Sequence, residues 1–253
     1  MSTVAPRSAS AGDPPRYLIS PLLAQAGVPH LFTTRHFPGV RAPRDGGGPF
    51  DARAMPTLAE FGLAAQPAAF ARQVHAADVV TAEQSGPAGH ADVLTTSRRQ
   101  LPLAISTADC LPIVLYDPVH WRLAVAHAGW RGTARSAARA AADALAARGG
   151  APETFVGAIG PSIGPCCYEV DEPVIEEFAR AFPERWRAWV TERGAGKWML
   201  DLWRANEDQL ETAGMHPSSI DNLRLCTACR TDLLFSYRRG RGQGRLVAVA
   251  AIP

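Results

Sequence analysis

The sequence predicts an α+β fold in which mixed sheets have helices on their outer sides. Three apolar runs typical of buried strands follow one another closely, at Leu101–Ser106, Ile113–Tyr116 and Leu123–His127. An alanine-rich segment then predicts a helix over Thr133–Gly149, with Thr133 as its N-cap and glycine at its end. Because helices and strands are interspersed without strict βαβ alternation, the pattern favours mixed sheets.

The other elements follow from apolar periodicity and from the residues that start and stop them. Amphipathic patterns predict helices over Glu172–Phe182 and Asp201–Gly214. Further strands are predicted, in chain order, at His30–Phe37, Asp78–Thr81, Thr154–Ile159, Asn222–Leu225, Leu233–Tyr237 and Leu246–Ile252. Residues 1–16 are small, polar and rich in proline and glycine, which predicts a flexible tail. Since no internal repeat or linker interrupts residues 17–253, we expect one domain there.

Composition excludes several classes of function. The chain has 253 residues, 47% of them hydrophobic, and a net charge of +2. This composition provides a sizeable core and lacks the basic excess typical of nucleic-acid binders. No apolar run reaches the roughly 18 residues that a membrane span needs, no signal peptide is expected, and an odd count of five cysteines is unlike a secreted disulfide scaffold. We therefore expect a cytoplasmic protein with reduced thiols, binding neither nucleic acid nor membrane.

Three residues that can bind metals stand beside small residues at the ends of apolar strands: His75, Cys110 and His127. Their separations are too wide for the paired ligands of a zinc finger, but a fold could bring them together. Two imidazoles and a thiolate leave the fourth tetrahedral position free, as in a catalytic zinc site. A buried inert cysteine and structurally satisfied histidines explain the same residues, so spacing alone leaves both interpretations open.

Residues next to these candidates suggest supporting roles. Asp109 is interpreted as support for a metal ligand, as a proton carrier, or as a cap of the turn. Pro112 is expected to limit strand pairing just beyond the thiol. Arg35, Arg72 and Arg131 each lie beside a candidate strand end, where a guanidinium group could bind phosphate. A solvated surface arginine is the alternative for each of them.

The other four cysteines lie in two short motifs. The segment CTAC, Cys226–Cys229, resembles half of a zinc ribbon, but a second C-x-x-C is absent and we expect structural packing for it. Cys166 and Cys167 in PCCY are adjacent and also lack a partner motif. The preceding GAIGPSIGP, Gly157–Pro165, matches neither a dinucleotide fingerprint nor a P-loop. It predicts either plain backbone turns or a rigid wall beside a planar ligand.

Six ordered segments resemble the bacterial polyphenol oxidase, or laccase-domain, family, whose members are regarded as purine nucleoside phosphorylases. The segments are ARQVHAADVV, ADVLTT, LAISTADCLPIVLYDP, LAVAHAGWRGTARSA, GAIGPSIGPCCYEV and CTACRTDLLFSYRR, and the resemblance runs from about Leu31 to Pro253. It implies a zinc ion bound by His75, Cys110 and His127. It also implies an α/β/β/α sandwich with mixed sheets, similar to the catalytic domain of cytotoxic necrotizing factor.

The same resemblance implies an activity. It is the phosphorolysis of adenosine, inosine, guanosine and methylthioadenosine, with phosphate as co-substrate, together with deamination of adenosine. One stretch departs from the family pattern: soon after Thr33–Arg35 the family carries Gly-Gly-Val-Ser and Ser-Leu-Asn-Leu, whereas this chain has the Gly-, Pro- and Arg-rich Pro38–Pro56. That stretch helps line the family's substrate pocket, so the departure bears on nucleoside specificity and on the activity itself.

The leading hypothesis is therefore a zinc-dependent purine nucleoside enzyme, as a monomer or small homo-oligomer. Its expected catalytic residues are His75, Cys110, His127 and Asp109, and its expected substrate-binding residues are Arg35, Arg72 and Arg131. The first rival hypothesis is a copper oxidase, since two histidines and a cysteine also describe a blue-copper site, although the seven histidines include no His-x-His pair. The second is a metal-free cysteine hydrolase with Cys110 as nucleophile, and the third is a non-catalytic binding protein.

Overall fold

The structure, a computed structural model, describes residues 14–41, 47–240 and 244–253. The predicted tail at residues 1–16 lies mostly outside the described residues. The strands are, in chain order, β1 (Tyr17–Leu18), β2 (His30–Thr33), β3 (Ala69–Arg72), β4 (Val79–Thr81), β5 (Gly86–His90), β6 (Val93–Thr96), β7 (Leu103–Thr107), β8 (Leu111–Asp117), β9 (Arg122–Ala128), β10 (Val156–Ile159), β11 (Glu169–Asp171), β12 (Val190–Gly194), β13 (Lys197–Leu200), β14 (Ile220–Asn222) and β15 (Leu246–Ala250).

The helices are short and fewer than the strands in the part of the chain that is described. They are α1 (Pro21–Gln25), α2 (Met55–Glu60), α3 (Trp130–Ala134), α4 (Ala137–Ala146), α5 (Glu172–Ala181), α6 (Leu202–Thr212) and α7 (Tyr237–Gly240). Among these residues, no helix has the length and apolar composition that crossing a membrane would require.

Strand pairing gives two six-stranded sheets and a small three-stranded one. The first sheet has the order β1-β2-β15-β7-β3-β5, and the second has the order β14-β10-β8-β9-β6-β4. Both are mixed, because β3 pairs in parallel with β5 and β7, and β6 pairs in parallel with β4, while their central pairs are antiparallel. The third sheet, β11-β13-β12, is antiparallel.

The two large sheets pack face to face through buried side chains such as Ile105 of the first sheet and Val125 of the second. The outer face of the second sheet is covered by helices, in a cluster that includes Ala141 of α4 and Phe178 of α5. Leu58 of α2 belongs to the cluster on the outer face of the first sheet. The predicted α+β class with mixed sheets is confirmed, whereas the similarity to cytotoxic necrotizing factor stays a prediction.

The predicted helix over Thr133–Gly149 is wrong in its extent, because the chain forms two helices there. Ser136 has a left-handed backbone (φ 64°) and separates α3 from α4. Thr133 is not an N-cap but a buried residue of α3, where its hydroxyl accepts a hydrogen bond from Asn206 Nδ2 at 2.9 Å. Its carbonyl accepts a second bond from Gln209 Nε2 at 2.8 Å. These contacts with α6 fix the break, and local helix propensity cannot anticipate them.

Three other expectations about strands are also wrong. The predicted strand Asn222–Leu225 shares only Asn222 with β14, because Arg224 has a left-handed backbone (φ 48°). Leu233–Tyr237 forms turns leading into α7, because Leu233 and Leu234 pack as a small buried cluster with Leu246. Pro112 does not limit pairing: it lies within β8, opposite His127 of β9. The carbonyl of Pro112 accepts a hydrogen bond from the N–H of Gly160 at 2.9 Å, so the strand continues through it.

Candidate functional site

The fold brings His75, Cys110 and His127 together, with one ligand atom from each lying within 4.8 Å of the others. His75 lies in the turn after β3, and His127 lies near the end of β9. Cys110 lies where the chain passes from β7 of the first sheet to β8 of the second. The two imidazole rings are edge to face, with centroids 4.9 Å apart. The three separate sequence segments thus contribute to one cluster, which we call the His-Cys-His centre.

Gly129 follows the end of β9, and its lack of a side chain makes room for the thiol. A Cβ atom at this position would lie 2.6 Å from Cys110 Sγ and 3.6 Å from His75 Cδ2. The first distance is far below van der Waals contact, so any side chain here would displace the sulfur. The glycine of AHAGWRG therefore serves close approach of the backbone to the centre.

A buried carboxylate, Asp92, connects two parts of the centre, although sequence reasoning assigned it no role. Its Oδ1 accepts a hydrogen bond from His127 Nδ1 at 2.7 Å. Its Oδ2 accepts from the backbone N–H groups of Val74 and Ala76, at 3.0 and 2.7 Å, which flank His75. Since Nδ1 of His127 is engaged, Nε2 is left as the metal-binding nitrogen. Asp92 precedes a buried strand in the segment ADVLTT, and that position was its only signal in the sequence.

Further contacts fix the His75 turn. The side-chain amide of Gln73 donates to the carbonyl of Ser106 and accepts from its N–H, both at 2.8 Å. Arg135 Nη1 donates to the carbonyl of His75 at 3.3 Å. His127 is buried, Cys110 is half-buried and His75 is exposed, so the centre opens to solvent on the His75 side.

The electrostatics of the centre favour a thiolate. Burial opposes ionisation of Cys110, but the positive charge of His127 and hydrogen bonds from His127 and His75 lower the pKa of the thiol to about 6. Burial likewise lowers the pKa of His127, but the charges of Cys110 and Asp92 raise it to about 9. Without a metal, Cys110 and His127 thus form a thiolate–imidazolium pair. A thiolate and two imidazoles are a donor set that suits zinc.

Asp109 connects the centre to a distant segment. Its Oδ1 accepts a hydrogen bond from Thr227 Oγ1 at 2.5 Å, and its Oδ2 accepts from the N–H of Arg238 at 2.7 Å. Its backbone carbonyl accepts from the N–H of Ile163 at 2.9 Å. Because both carboxylate oxygens are engaged by the chain itself, the geometry favours a positioning role for Asp109 over proton transfer.

Tyr168 lies near the centre and was not singled out from the sequence. Burial, followed by the charge of Cys110, raises the pKa of its hydroxyl above the usual value, and the charges of Arg238 and Arg131 act in the opposite direction. The guanidinium of Arg238 lies 5.3 Å from the centroid of the Tyr168 ring and donates to the carbonyl of Glu169. Tyr168 therefore stays protonated at neutral pH.

The three predicted arginines lie in different surroundings. Arg131 lies in α3, two residues after Gly129, and stacks on Trp130 at 4.2 Å. Arg35 donates to the carbonyl of Thr231 and lies over the ring of Phe235. Arg72 is exposed at the end of β3. Of the three, Arg131 lies on the helix that begins beside Cys110. Its positive charge acts to lower the pKa of Tyr168.

The described part of the altered stretch Pro38–Pro56 packs on the outer face of the first sheet. Val40 and Phe50 form an isolated β-bridge there. Phe50 and Met55 contribute to the lining of a cavity of about 590 Å³. Among the described residues, the lining of this cavity does not include His75, Cys110 or His127.

The chain is similar to several known proteins. A family model described as multi-copper polyphenol oxidoreductase laccase matches residues 52–253. A protein of Deinococcus radiodurans named purine nucleoside phosphorylase is 37% identical over 238 residues, covering 89% of this chain and 90% of the relative. A protein from an unknown prokaryotic organism, named adenosine deaminase RL5, is 35% identical over 164 residues, covering 64% of this chain and 63% of the relative. The crystal structure of YlmD from Geobacillus stearothermophilus is similar with a TM-score of 0.82 at 30% identity, covering 97% of this chain and 99% of that chain.

Proposed function

The chain belongs to the family described as multi-copper polyphenol oxidoreductase laccase. We propose that it has the activities for which two of its relatives are named, purine nucleoside phosphorylase and adenosine deaminase. The proposed reaction is zinc-dependent phosphorolysis of adenosine, inosine or guanosine to base and ribose 1-phosphate, and of methylthioadenosine to base and methylthioribose 1-phosphate, with deamination of adenosine. The observation that carries the proposal is the His-Cys-His centre with its buried support Asp92.

The residues of the centre fit a zinc ion. His75, Cys110 and His127 would bind it, because the fold gathers their donor atoms, favours the thiolate and leaves Nε2 of His127 available. Zinc in such a site would supply Lewis-acid catalysis at an open fourth position. Copper is the less suitable ion, because a multicopper oxidase needs many more histidine ligands than the two in this centre.

The chain's own groups would bind and orient the substrates. Phosphorolysis requires phosphate beside C1′ of the ribose, where positive charge develops in the transition state. Arg131 is the proposed phosphate-binding residue, with Arg35 and Arg72 as the further candidates. Tyr168, which stays protonated, could donate a hydrogen bond to a substrate oxygen. Asp109 would position the segment that contains Thr227 and Arg238 against the centre.

A second candidate function is favoured by one contact. The bond between Asp92 and His127, with Cys110 beyond it, is the arrangement of a nucleophile, a base and an orienting acid. A metal-free cysteine hydrolase would use Cys110 as nucleophile, His127 as base and Asp92 as the orienting acid. It differs from the first proposal in surviving metal removal, and this difference decides between them.

The cysteine count supports a cytoplasmic location as a proposal. Five cysteines, an odd number, in a chain of this length are unlike the disulfide framework of a secreted protein. The oligomeric state, a monomer or a small homo-oligomer, stays a prediction.

Incubation with nucleosides tests the proposed reaction. Purified protein is mixed with each of the four nucleosides, with and without phosphate, and the products are separated by chromatography. We expect free base and a sugar phosphate that form only with phosphate, and inosine from adenosine without it. A zinc-loaded sample that forms neither base nor deaminated product from any nucleoside would falsify the proposal.

Replacing Arg131 tests the phosphate site. We expect Arg131→Ala to raise the KM for phosphate about tenfold, as loss of one charge-assisted contact predicts, with a smaller change in the KM for the nucleoside. Arg139→Ala is the matched control, since Arg139 lies on α4 in a surface ion pair with Asp143. Equal effects of the two substitutions on the phosphate KM would remove Arg131 from the proposed site.

A further inference from the structure

A second cluster of metal-binding side chains lies outside the His-Cys-His centre. Cys166, Cys167, Cys226 and Cys229 come from two segments and offer sulfur atoms that all lie within 4.8 Å of one another. The sulfur of Cys229 is 3.5 Å from that of Cys166 and 3.4 Å from that of Cys167. The two motifs that lacked partners in the sequence are therefore partners of each other, and simple packing does not account for four sulfurs gathered in one place.

The spacing of the sulfurs suits a tetrahedral ion. Zinc binds thiolates at about 2.3 Å, which places the sulfurs of a tetrahedral site about 3.8 Å apart. The separations of 3.4 and 3.5 Å lie close to this value, and no two of the four sulfurs are more than 4.8 Å apart. Thiolate ligands in a set of four select zinc over hard cations such as magnesium or calcium.

The backbone around Cys226 is arranged to stabilise a thiolate. The N–H of Gly164 donates to Cys226 Sγ at 3.3 Å. Burial opposes ionisation of Cys226, but this bond and the backbone N–H of Cys229 lower the pKa of its thiol. The N–H groups of Cys229 and Arg230 also donate to the carbonyl of Cys226, at 3.2 and 3.0 Å, which closes the C-x-x-C segment into a tight turn. The turn directs the two thiols of the segment toward the same point.

A cation also lies beside the cluster. Arg239 Nη2 is 4.0 Å from Cys167 Sγ, and Arg239 Nε donates to the carbonyl of Ala228 at 3.2 Å. Four thiolates around a divalent ion leave two net negative charges, and a guanidinium at this distance offsets part of that charge. When no ion is bound, burial and the thiol of Cys167 raise the pKa of Cys229 to about 11.

We propose that Cys166, Cys167, Cys226 and Cys229 form a second zinc site, closed by four thiolates and structural in role. It would join the turn after β10 to the segment that precedes α7. Thr227, between two of the ligands, donates to Asp109, and Tyr168 follows a third ligand directly. A zinc ion here would therefore fix Thr227 and Tyr168, two residues that border the His-Cys-His centre.

Zinc analysis of the full-length protein tests this site. Wild type, Cys110→Ser and the double variant Cys166→Ser/Cys229→Ser are purified with reductant, and zinc is measured by mass spectrometry. The double variant uses the two exposed cysteines, so that the core is least disturbed. We expect two zinc ions per chain in wild type and one in the double variant. The Cys110→Ser variant should keep one, whatever its activity, so the result does not depend on the proposed reaction.

Cobalt substitution identifies the ligands. Cobalt-loaded Cys110→Ser is expected to show the intense thiolate-to-cobalt absorption of a four-sulfur site, and the double variant is expected to lose most of it. A reduced Cys110→Ser protein that binds no zinc would overturn the proposal, as would iron or copper in place of zinc. A disulfide between Cys166 and Cys229 in the reduced preparation would overturn it as well. Since the zinc content and the cobalt spectrum of Cys110→Ser together identify a thiolate site without Cys110, misfolding of the double variant leaves the test intact.

Discussion

His127→Ala is expected to lower kcat/KM for phosphorolysis by roughly three orders of magnitude, because losing a ligand forfeits several kcal/mol of Lewis-acid catalysis. His127 is the buried ligand of the centre, and Asp92 orients it. Its removal also leaves the buried Asp92 carboxylate without its imidazole partner. We expect one zinc ion fewer per chain. The measurement is kcat/KM with inosine and phosphate, together with zinc content.

His30→Ala is the matched control for this substitution. His30 is also buried on a strand, where it accepts from the N–H of Ser20 at 2.8 Å and bonds the carbonyl of Val28 at 2.8 Å. Its removal should cost about 1–3 kcal/mol of stability through unsatisfied polar groups, with zinc content and kcat/KM near those of wild type. Similar activity losses in the two variants would show that His127 acts only through the fold.

Asp92→Asn is expected to weaken zinc binding at the His-Cys-His centre by roughly 10- to 100-fold, the usual effect of removing the acid that orients a histidine ligand. The carboxylate accepts from three donors, whereas an amide would turn its NH₂ group toward at least one of them. Either the ring of His127 or the turn that contains His75 then loses its support. The zinc dissociation constant is measured by chelator competition in the Cys166→Ser/Cys229→Ser background, so that only this centre titrates.

Asp117→Asn provides the matched comparison. Asp117 is equally buried and accepts from the backbone N–H groups of Val119 and His120, at 3.0 and 3.2 Å, and from His120 Nδ1 at 2.8 Å. It repeats the contacts of Asp92 at the far end of β8, away from the centre. We expect a comparable loss of stability and an unchanged zinc dissociation constant. If both variants bind zinc as wild type does, Asp92 has no orienting role.

The strands that build the centre were predictable because their apolar runs are local. β7, β8 and β9 lie within about two residues of the predicted strands, and these strands end beside Cys110 and His127. The break between α3 and α4 was not predictable. It depends on bonds from Asn206 and Gln209 to Thr133, and these residues are far away in the sequence.

The support of the centre was not predictable for the same reason. An aspartate before a strand is locally typical of a turn cap, and only the tertiary structure shows that Asp92 bonds His127 and the flanks of His75. The four-cysteine cluster was missed because sequence spacing reveals a metal site only when both halves carry a known motif. Here a C-x-x-C segment meets two adjacent cysteines, a combination that the linear pattern does not indicate.

Removal and return of metal test the central claim most directly. The full-length protein is stripped with a chelator under reducing conditions, and phosphate-dependent formation of base from inosine is followed before and after addition of zinc or copper. The account predicts that activity disappears with the metal, returns with zinc and does not return with copper. Phosphorolysis that persists in protein shown to be free of metal would contradict it and would favour Cys110 as a nucleophile.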